Sequence, residues 1–299
     1  MRILLTGTQG QVGGALLPLL RDEHTVLAPA LEEFDLSKPE SLAGKLDALK
    51  PDLIINPAAY TAVDKAEDES ALAFLINGDA PDVLARWAAA HGVPMVHFST
   101  DYVFDGSGGR LWREDDATDP LSVYGRSKLA GESAVRSAGC AHLVVRTAWV
   151  YAAQGANFMR TMIRLAKERE SLRVVADQFG APTSATTIAS TLVRILDQGA
   201  RDLPATFARA NGLVHLTNSG STSWHGFACA IVEGLRARTV ALKAEQVTPI
   251  ATADYPTKAV RPANSRLDLA RLRAAYGLVP LAWEEALTLE LDDFLQFER

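Results

Sequence analysis

The chain opens with a short apolar segment that runs directly into a glycine-rich turn. Residues 2–6 have the length and composition of a buried strand, and Gly7, Gly10 and Gly13 follow in a G-x-x-G-x-x-G pattern. An amphipathic helix is predicted after the turn, over residues 15–20. The first glycine permits a tight turn, the second lets the backbone approach a pyrophosphate, and the third lets helix and strand pack closely. Strand, turn and helix together predict a dinucleotide-binding fold rather than a purely structural glycine turn, with amides at the helix start facing the phosphates.

Five further apolar segments are predicted strands, and predicted helices separate them. The segments cover residues 25–28, 53–56, 95–99, 142–146 and 213–216. This alternation indicates right-handed βαβ units and a parallel sheet. Ligands bind outside the carboxyl ends of such strands, and Gly7, Ala59, Thr100 and Trp149 all follow predicted strands. We therefore predict the α/β class, with a Rossmann-type doubly wound parallel sheet, a smaller C-terminal substrate-binding lobe and a single site at the sheet edge.

The alternation of predicted strands and helices becomes less regular after residue 150. We expect residues 1–150 to form the dinucleotide-binding domain, with a further strand and helix returning to it near residues 185–218. Residues 151–184 and 219–299 are expected to form the substrate-binding lobe, with a strand over residues 172–176. No repeat or low-complexity tract interrupts either part.

Composition excludes several classes of protein. With 299 residues, 48% of them hydrophobic and 22% charged, the chain has the balance of an ordinary soluble globular protein. The net charge of −6 argues against a nucleic-acid partner, which would need a broad basic face. Only Cys140 and Cys229 are present, so neither a disulfide framework nor a structural zinc site is expected, and a reducing compartment is favoured. No signal peptide is visible and no apolar run approaches the ~20 residues of a membrane span, which predicts a cytoplasmic protein without a membrane partner.

The segment from Ser99 to Glu132 carries the residue types of a carbonyl-reduction site. Tyr124 and Lys128 are four residues apart on a predicted helix and therefore lie on one face. A phenol with a pKa of ~10 is a poor acid or base at neutral pH, and an adjacent ammonium pulls that pKa toward the working range. Thr100, at the end of the preceding strand, supplies a hydroxyl for a substrate carbonyl oxygen. Because this spacing also arises by chance, the prediction depends on the dinucleotide-binding context around it.

The end of the second predicted strand bears on the choice of cofactor. An NAD-binding protein would place an acid there for the ribose 2′-hydroxyl, but Pro29 occupies about that position. Without the carboxylate a 2′-phosphate is not repelled, although no arginine follows the strand to attract one. NADPH is therefore the expected cofactor, with NADH as the alternative. Asp35 either borders the adenine or caps a helix predicted over residues 37–49.

Two further segments are predicted to border the cofactor. The strand at residues 53–56 is followed by small residues, Ala58 and Ala59 among them, that allow the backbone to approach a ligand. Asn77 is predicted to start a helix, where it either caps the helix or contacts the ribose. We interpret a mixed charge cluster at residues 64–69 as a solvated face rather than as chemistry, and His97 as a core histidine.

Together these residues resemble the extended short-chain dehydrogenase/reductases. More narrowly, residues 99–105, 124–132, 146–151, 177–183 and 261–267 are similar to the dTDP-4-dehydrorhamnose reductases. The resemblance covers nearly the whole chain, and the block Ser-Thr-Asp-Tyr-Val-Phe-Asp-Gly at residues 99–106 is its most telling part. It implies that NADPH reduces the C4 ketone of a dTDP-4-keto-6-deoxy sugar, dTDP-4-dehydro-6-deoxy-L-mannose, to dTDP-L-rhamnose, in the last step of dTDP-rhamnose synthesis.

The resemblance also implies roles for particular residues. Tyr124 would donate a proton to the C4 oxygen, Lys128 would lower the pKa of that phenol and bind the nicotinamide ribose, and Thr100 would hydrogen-bond the same oxygen. The expected cofactor contacts are Gly7, Gly10, Gln11, Val12, Gly13, Asp35, Leu36, Ala58, Ala59, Tyr60, Thr61 and Asn77. The expected substrate contacts are Thr100, Asp101, Tyr102, Trp149 and Arg261, the last for the diphosphate unless it is an ordinary surface arginine. A magnesium-linked dimer within the family uses a carboxylate where this chain has Ala15, so no metal is expected, although the resemblance allows a homodimer.

Other activities of the same fold fit the residues less well. A nucleotide-sugar 4,6-dehydratase needs an acid pair after the threonine, whereas Thr100 is followed by Asp101 and Tyr102. A 4-epimerase usually has serine in place of Thr100. Another nucleotide-sugar reductase stays open, and so does a non-catalytic regulatory subunit that binds NADP(H) and a partner protein. Intact Thr100, Tyr124 and Lys128 count against the regulatory subunit.

Overall fold

The computed structural model describes residues 1–297, in which strands and helices alternate. The strands are β1 (Arg2–Leu5), β2 (Thr25–Leu27), β3 (Leu53–Asn56), β4 (Met95–Thr100), β5 (His142–Thr147), β6 (Val150–Tyr151), β7 (Ser171–Val175), β8 (Phe179–Gly180), β9 (Thr183–Ser184), β10 (Leu213–His215), β11 (Thr222–Ser223) and β12 (Gln246–Ile250). The α-helices are α1 (Gln11–Arg21), α2 (Leu42–Leu49), α3 (Val63–Ala66), α4 (Ser70–Phe74), α5 (Ala80–His91), α6 (Val123–Ser137), α7 (Phe158–Glu168), α8 (Ala185–Gln198), α9 (Leu203–Ala208), α10 (Trp224–Ala237), α11 (Ala270–Tyr276) and α12 (Trp283–Phe297). Among these residues no helix is both long enough and apolar enough to cross a membrane.

Six strands within residues 1–297 form one parallel sheet, which confirms the predicted fold class. Their order across the sheet is β10-β5-β4-β3-β1-β2. The chain therefore steps to one side of β1 to form β2 and to the other side to form β3 and the strands beyond it. Connections leave β1 and β3 in opposite directions at this reversal, so the carboxyl ends of the two strands open a crevice for a ligand.

Alternate side chains of the sheet pack against helices on opposite faces. Ile3 and Leu5 belong to a core with α1 and α8, whereas Leu4 belongs to a core with α2 and α5. All three side chains are fully buried. Because both faces of the sheet are covered, the strands must be apolar at successive positions, which is why they can be recognised in the sequence as short continuous apolar runs.

A third core lies among elements outside the six-stranded sheet, which we call the C-terminal lobe. It joins α7, α10 and α12 to the parallel pair formed by β7 and β12. Met159, Leu172, Phe227 and Leu291 belong to it, and each is at most 3% exposed. Strand β7 lies where the sequence predicts a strand. Strand β12 is not predicted, because its five residues include Pro249 and remain half-exposed or exposed.

Two predicted helix starts are wrong. The helix expected from Asn77 begins at Ser70 and continues through α4, a π-helical segment (Leu75–Asp79) and α5, so Asn77 lies inside it and cannot cap it. The helix expected over residues 37–49 starts only with α2, after a 3₁₀ turn at Pro39–Ser41. Asp35 therefore does not cap that helix. It accepts hydrogen bonds from the backbone amide and the hydroxyl of Ser37 in a local turn.

Helix α6 packs very close to its neighbours because glycine faces them at two positions. A β-carbon at Gly131 would lie 2.1 Å from the carbonyl oxygen of Asn77, and one at Gly125 would lie 2.3 Å from that of Tyr102. Both distances are far below van der Waals contact, so any other residue would have to displace backbone. The two glycines therefore set how closely α6 approaches the π-helical segment and the end of β4.

Replacing Gly131 with alanine is expected to lower the free energy of unfolding by about 1–3 kcal/mol, because the added methyl group overpacks a site without free space. Gly44→Ala is the matched control. Gly44 lies in α2 with no atom within 4 Å of an added β-carbon, and alanine favours a helix interior over glycine by about 1 kcal/mol. Urea unfolding of both variants measures the effect. A Gly131→Ala protein as stable as the native one would show that contact with Asn77 does not limit the packing of α6.

Candidate active site

A cleft of about 730 Å³ opens at the carboxyl edge of the sheet. Its walls come from the glycine turn after β1, the loops after β2 and β3, the ends of β4 and β5, helix α6 and part of the C-terminal lobe. The expected site residues that line it are Gly7, Gly10, Gln11, Val12, Gly13, Leu36, Ala58, Ala59, Thr61, Thr100, Asp101, Tyr102, Tyr124, Lys128 and Trp149. The expected site residues outside this lining are Asp35, Tyr60, Asn77 and Arg261. Within residues 1–297, no group of three or more His, Cys, Asp or Glu residues is placed to hold a metal ion.

The glycine turn presents bare backbone to the cleft. Gly7 has a φ of +60°, and a β-carbon there would lie 2.9 Å from the Cα of Ala58. A β-carbon at Gly13 would lie 2.2 Å from the carbonyl oxygen of Gly7. Helix α1 begins at Gln11 without a side-chain cap, which leaves its first backbone amides for a ligand. Such a cradle of backbone at a helix start fits the pyrophosphate of a dinucleotide.

Helix α6 holds Tyr124 and Lys128 on the face that lines the cleft. Ser122 caps this helix, because its hydroxyl accepts a hydrogen bond from the amide of Gly125 at 3.1 Å. Burial raises the pKa of Tyr124 to about 12, although the nearby Thr100 hydroxyl opposes the rise. The sequence predicts the opposite direction, but the loss of hydration of the buried phenol dominates. Tyr124 is therefore protonated at neutral pH and can act as an acid.

Lys128 is a buried cation with a counter-charge one helical turn away. Its side chain is 3% exposed, and burial lowers its pKa to about 8 while Glu132 raises it. Glu132 forms a bidentate ion pair with Arg146 on β5, at 2.9 and 2.7 Å, and both side chains are buried. Arg146 also lies over the ring of Phe104, 5.0 Å from its centroid. This pair is missed in the sequence, although Glu132 repeats the four-residue spacing of Tyr124 and Lys128 and so belongs to the same inward face.

Thr100 and Asp101 lie at the end of β4, and both are buried. The hydroxyl of Thr100 donates a hydrogen bond to Oδ1 of Asp101 at 3.0 Å and accepts one from the amide of Tyr102 at 3.2 Å. Burial raises the pKa of Asp101 to about 6, while the hydroxyls of Ser265 and Thr100 act to lower it. Oδ2 of Asp101 has no hydrogen-bond partner among residues 1–297. A carboxyl group with this pKa changes its charge close to neutral pH.

Asn77 does not line the cleft but links two of its walls through hydrogen bonds. Its amide oxygen accepts a hydrogen bond from the backbone amide of Tyr60 at 2.8 Å, and its amide nitrogen donates to the carbonyl of Tyr60 and the hydroxyl of Ser127, both at 3.0 Å. Ser127 donates in turn to the carbonyl of Tyr124 at 2.8 Å. These bonds use both amide donors of Asn77 and link the loop after β3 to helix α6, while its contact with the cofactor ribose stays a prediction.

The mixed charge cluster after β3 is more than a solvated face. Asp64 forms a bidentate ion pair with Arg261, at 3.0 and 2.7 Å. Lys258 forms an ion pair with Asp68 in the same region. These contacts fasten the C-terminal segment that contains Arg261 to the loop after β3. The guanidinium expected at the substrate diphosphate is thus already paired with a carboxylate, although it also interacts through charge with Tyr102 in the cleft lining.

Two stacked indoles form part of the cleft wall. The rings of Trp149 and Trp224 have centroids 3.6 Å apart and planes 10° from parallel. Trp149 has a φ of +50°, a rare conformation for a large residue, and the bare Cα of Gly180 packs against its ring. Trp224 is missed in the sequence because no motif surrounds it and its partner belongs to a different part of the chain.

The chain matches a family model and full-length relatives. The model described as the RmlD substrate binding domain matches residues 1–296. A dTDP-4-dehydrorhamnose reductase from Burkholderia thailandensis is 47% identical over 297 residues, which cover 99% of each chain. A protein of the same name from Escherichia coli is 41% identical over 297 residues, which cover 98% of each chain.

Solved structures of proteins with that name share the fold. One from Clostridium acetobutylicum superposes with a TM-score of 0.89 at 35% identity, over 99% of this chain and 100% of the other. One from Bacillus anthracis, in complex with NADP, superposes with a TM-score of 0.88 at 33% identity, over 98% of this chain and 99% of the other. The similarity therefore extends over the whole length of these proteins.

Proposed function

The chain belongs to the RmlD substrate binding domain family, and on that premise we propose that it reduces the C4 ketone of dTDP-4-dehydrorhamnose to dTDP-L-rhamnose with NADPH. Full-length relatives are named dTDP-4-dehydrorhamnose reductases, and a solved relative holds NADP, which confirms the family resemblance seen in the sequence. The chain is accordingly an NADPH-dependent oxidoreductase of dTDP-rhamnose synthesis. Cys140 and Cys229 are both free, which fits a reducing compartment, and we place the protein in the cytoplasm.

The observation that carries this proposal is the convergence of Thr100, Tyr124 and Lys128 in the cleft that the glycine turn also lines. Reduction of a ketone needs a hydride donor and a proton donor at the same carbonyl group. The backbone cradle at Gly7 and Gly13 fits the pyrophosphate of NADPH, and the three side chains supply the proton side of the reaction.

Different residues of the cleft would have different roles in the reduction. Bound NADPH would supply the hydride to the C4 carbon. Tyr124, which keeps its proton because burial raises its pKa, would donate that proton to the C4 oxygen. Lys128 would place its ammonium beside the nicotinamide ribose and stabilise the tyrosinate that forms. Glu132, paired with Arg146, opposes the loss of the Lys128 proton.

We place the sugar against Trp149 and Tyr102, since both line the cleft and Tyr102 makes an edge contact with the ring of Tyr124. For Arg261 we propose contact with the diphosphate through guanidinium donors that Asp64 leaves unused, because a guanidinium has five donors and the ion pair engages only part of them. Asp64 would then hold Arg261 in position.

Replacing Tyr124 with phenylalanine is expected to lower kcat by about 10²–10⁴-fold, the usual effect of losing a general acid. Affinity for the dTDP-sugar should change little because the ring remains. Tyr151→Phe is the matched control and should keep native kcat, since the Tyr151 hydroxyl is buried without a hydrogen-bond partner among residues 1–297. Initial rates of NADPH oxidation with purified dTDP-4-dehydrorhamnose measure both variants. Near-native turnover of Tyr124→Phe would contradict its role, and a native chain without turnover would favour a regulatory subunit.

Pro29 lines the cleft after β2, where an acid would hold the ribose 2′-hydroxyl of NADH. We expect NADPH to be used at least as well as NADH, and Pro29→Asp to shift the preference by about tenfold toward NADH through repulsion of the 2′-phosphate. Pro29→Ala separates the loss of the proline ring from the gain of charge. Steady-state kinetics with both nucleotides give the answer, and a native preference for NADH would mean that Pro29 does not face the ribose.

A further inference from the structure

The hydroxyl of Thr100 has one proton, and that proton is already engaged. Oγ1 donates it to Oδ1 of Asp101 at 3.0 Å, and the same oxygen accepts a hydrogen bond from the amide of Tyr102 at 3.2 Å. A ketone oxygen can only accept hydrogen bonds, so Thr100 cannot bind it while Asp101 holds the proton. The ketone oxygen would instead face a lone pair of the Thr100 hydroxyl beside the buried carboxylate of Asp101. The lone pair and the carboxylate both repel another hydrogen-bond acceptor.

We propose that Asp101 is a positioning residue that must be protonated when the ketone binds, so that its carboxyl group donates to Oγ1 and Thr100 turns its own proton to the C4 oxygen. This inference rests on the proposed function and deepens it. The proton balance closes over one turnover. Asp101 takes up a proton from solvent when the ketone binds and releases it once the alcohol has formed, since a hydroxyl can donate as well as accept. The proton that Tyr124 gives to the C4 oxygen is a separate one.

The polar side chains that interact with Asp101 are hydroxyls and phenols. The residue is 2% exposed, in the 3₁₀ turn (Asp101–Val103) after β4. Strand β4 contributes Thr100, helix α6 contributes Tyr124, and the C-terminal segment contributes Ser265. Tyr102 follows Asp101 in the turn and interacts with it through charge. Because burial is the dominant influence on this carboxyl, its pKa of about 6 lies within reach of protonation at neutral pH.

Among residues 1–297, no charged side chain forms an ion pair with Asp101. Arg261 and Asp64 both interact with Tyr102, and they form an ion pair with each other. Lys128 lies one helical turn beyond the catalytic tyrosine. The negative charge that grows on the C4 oxygen during hydride transfer would be opposed by an ionised Asp101 and tolerated by a neutral one.

Calorimetry can measure how many protons are taken up when the ketone binds. The native chain is loaded with NADP⁺, which has no hydride to give, and titrated at about pH 7 with dTDP-4-dehydrorhamnose in two buffers of different ionisation enthalpy. The difference between the two heats gives the number of protons taken up. A group with a pKa of about 6 is about nine-tenths ionised at that pH, so binding should take up nearly one proton. The product dTDP-L-rhamnose, with a hydroxyl at C4, is titrated into the NADPH complex, where it meets no hydride acceptor, and should cause far less uptake.

Variants test whether Asp101 is the group that takes up the proton when the ketone binds. In Asp101→Asn the titrating group is gone, so any binding of the ketone should occur without uptake. Thr100→Ser keeps the hydroxyl and is the matched control, with uptake preserved, whereas Thr100→Val removes the reason for protonation and should abolish the uptake.

The pH dependence of kcat/KM for the ketosugar gives a second measurement. The protonated form of Asp101 is the active one, so activity is lost as pH rises through its pKa. In the native chain kcat/KM should fall at least about tenfold from about pH 5.5 to about pH 7.5, a range below the pKa of Lys128. In Asp101→Asn the ratio between the two pH values should be near one, whatever the absolute rate.

Each outcome bears on a definite claim. Binding of the ketone by the native chain without proton uptake would overturn the role of Asp101 and leave the reductase proposal intact. An undiminished fall of kcat/KM in Asp101→Asn would overturn that role as well. Failure of the native chain to bind the ketosugar would contradict the proposed function instead. Should Asp101→Asn not fold, the contrast in proton uptake between Thr100→Ser and Thr100→Val decides the question.

Discussion

The close approach of helix α6 to the π-helical segment is the constraint on which the site depends. Gly131 lets the helix touch the backbone of Asn77, and the side chain of Asn77 joins the loop after β3 to the same helix. A helix held further out by one side chain would carry Tyr124 and Lys128 away from Thr100. Groups that exchange a hydride or a proton must meet within about 3–3.5 Å, so packing at a residue outside the cleft sets the geometry inside it.

Burial sets the protonation of the groups around the expected ketone. The pKa of Tyr124 rises to about 12, that of Asp101 rises to about 6, and that of Lys128 falls to about 8. Each group moves toward its neutral form, as loss of hydration requires. For the tyrosine and the aspartate this direction suits a reductase, because one keeps a proton to give and the other can become neutral beside an oxygen that gains charge. For Lys128 it opposes the function, and the buried carboxylate of Glu132 counteracts it.

The sheet and the central residues of the candidate site could be predicted because short sequence patterns indicate them. Continuous apolar strands, the glycine turn and the spacing of Tyr124 and Lys128 are each contained in a short segment. The ion pair of Asp64 and Arg261 joins residues 197 apart, so no local pattern contains it. The role of Asn77 could not be predicted because a π-helical segment turns its side chain inward to Tyr60 and Ser127. The direction of the tyrosine pKa depends on the depth of burial, which spacing alone does not give.

The central proposal is that NADPH bound in this cleft delivers hydride to the C4 carbon of a dTDP-linked ketosugar while Tyr124 delivers the proton. Transfer of an isotope label tests it most directly. The purified chain is incubated with dTDP-4-dehydrorhamnose and NADPH that carries a transferable deuteride, and the product is analysed by NMR and mass spectrometry. We predict dTDP-L-rhamnose with deuterium at C4, formed only when both substrates are present. Product without deuterium at C4, or NADPH binding without any product, would contradict the account.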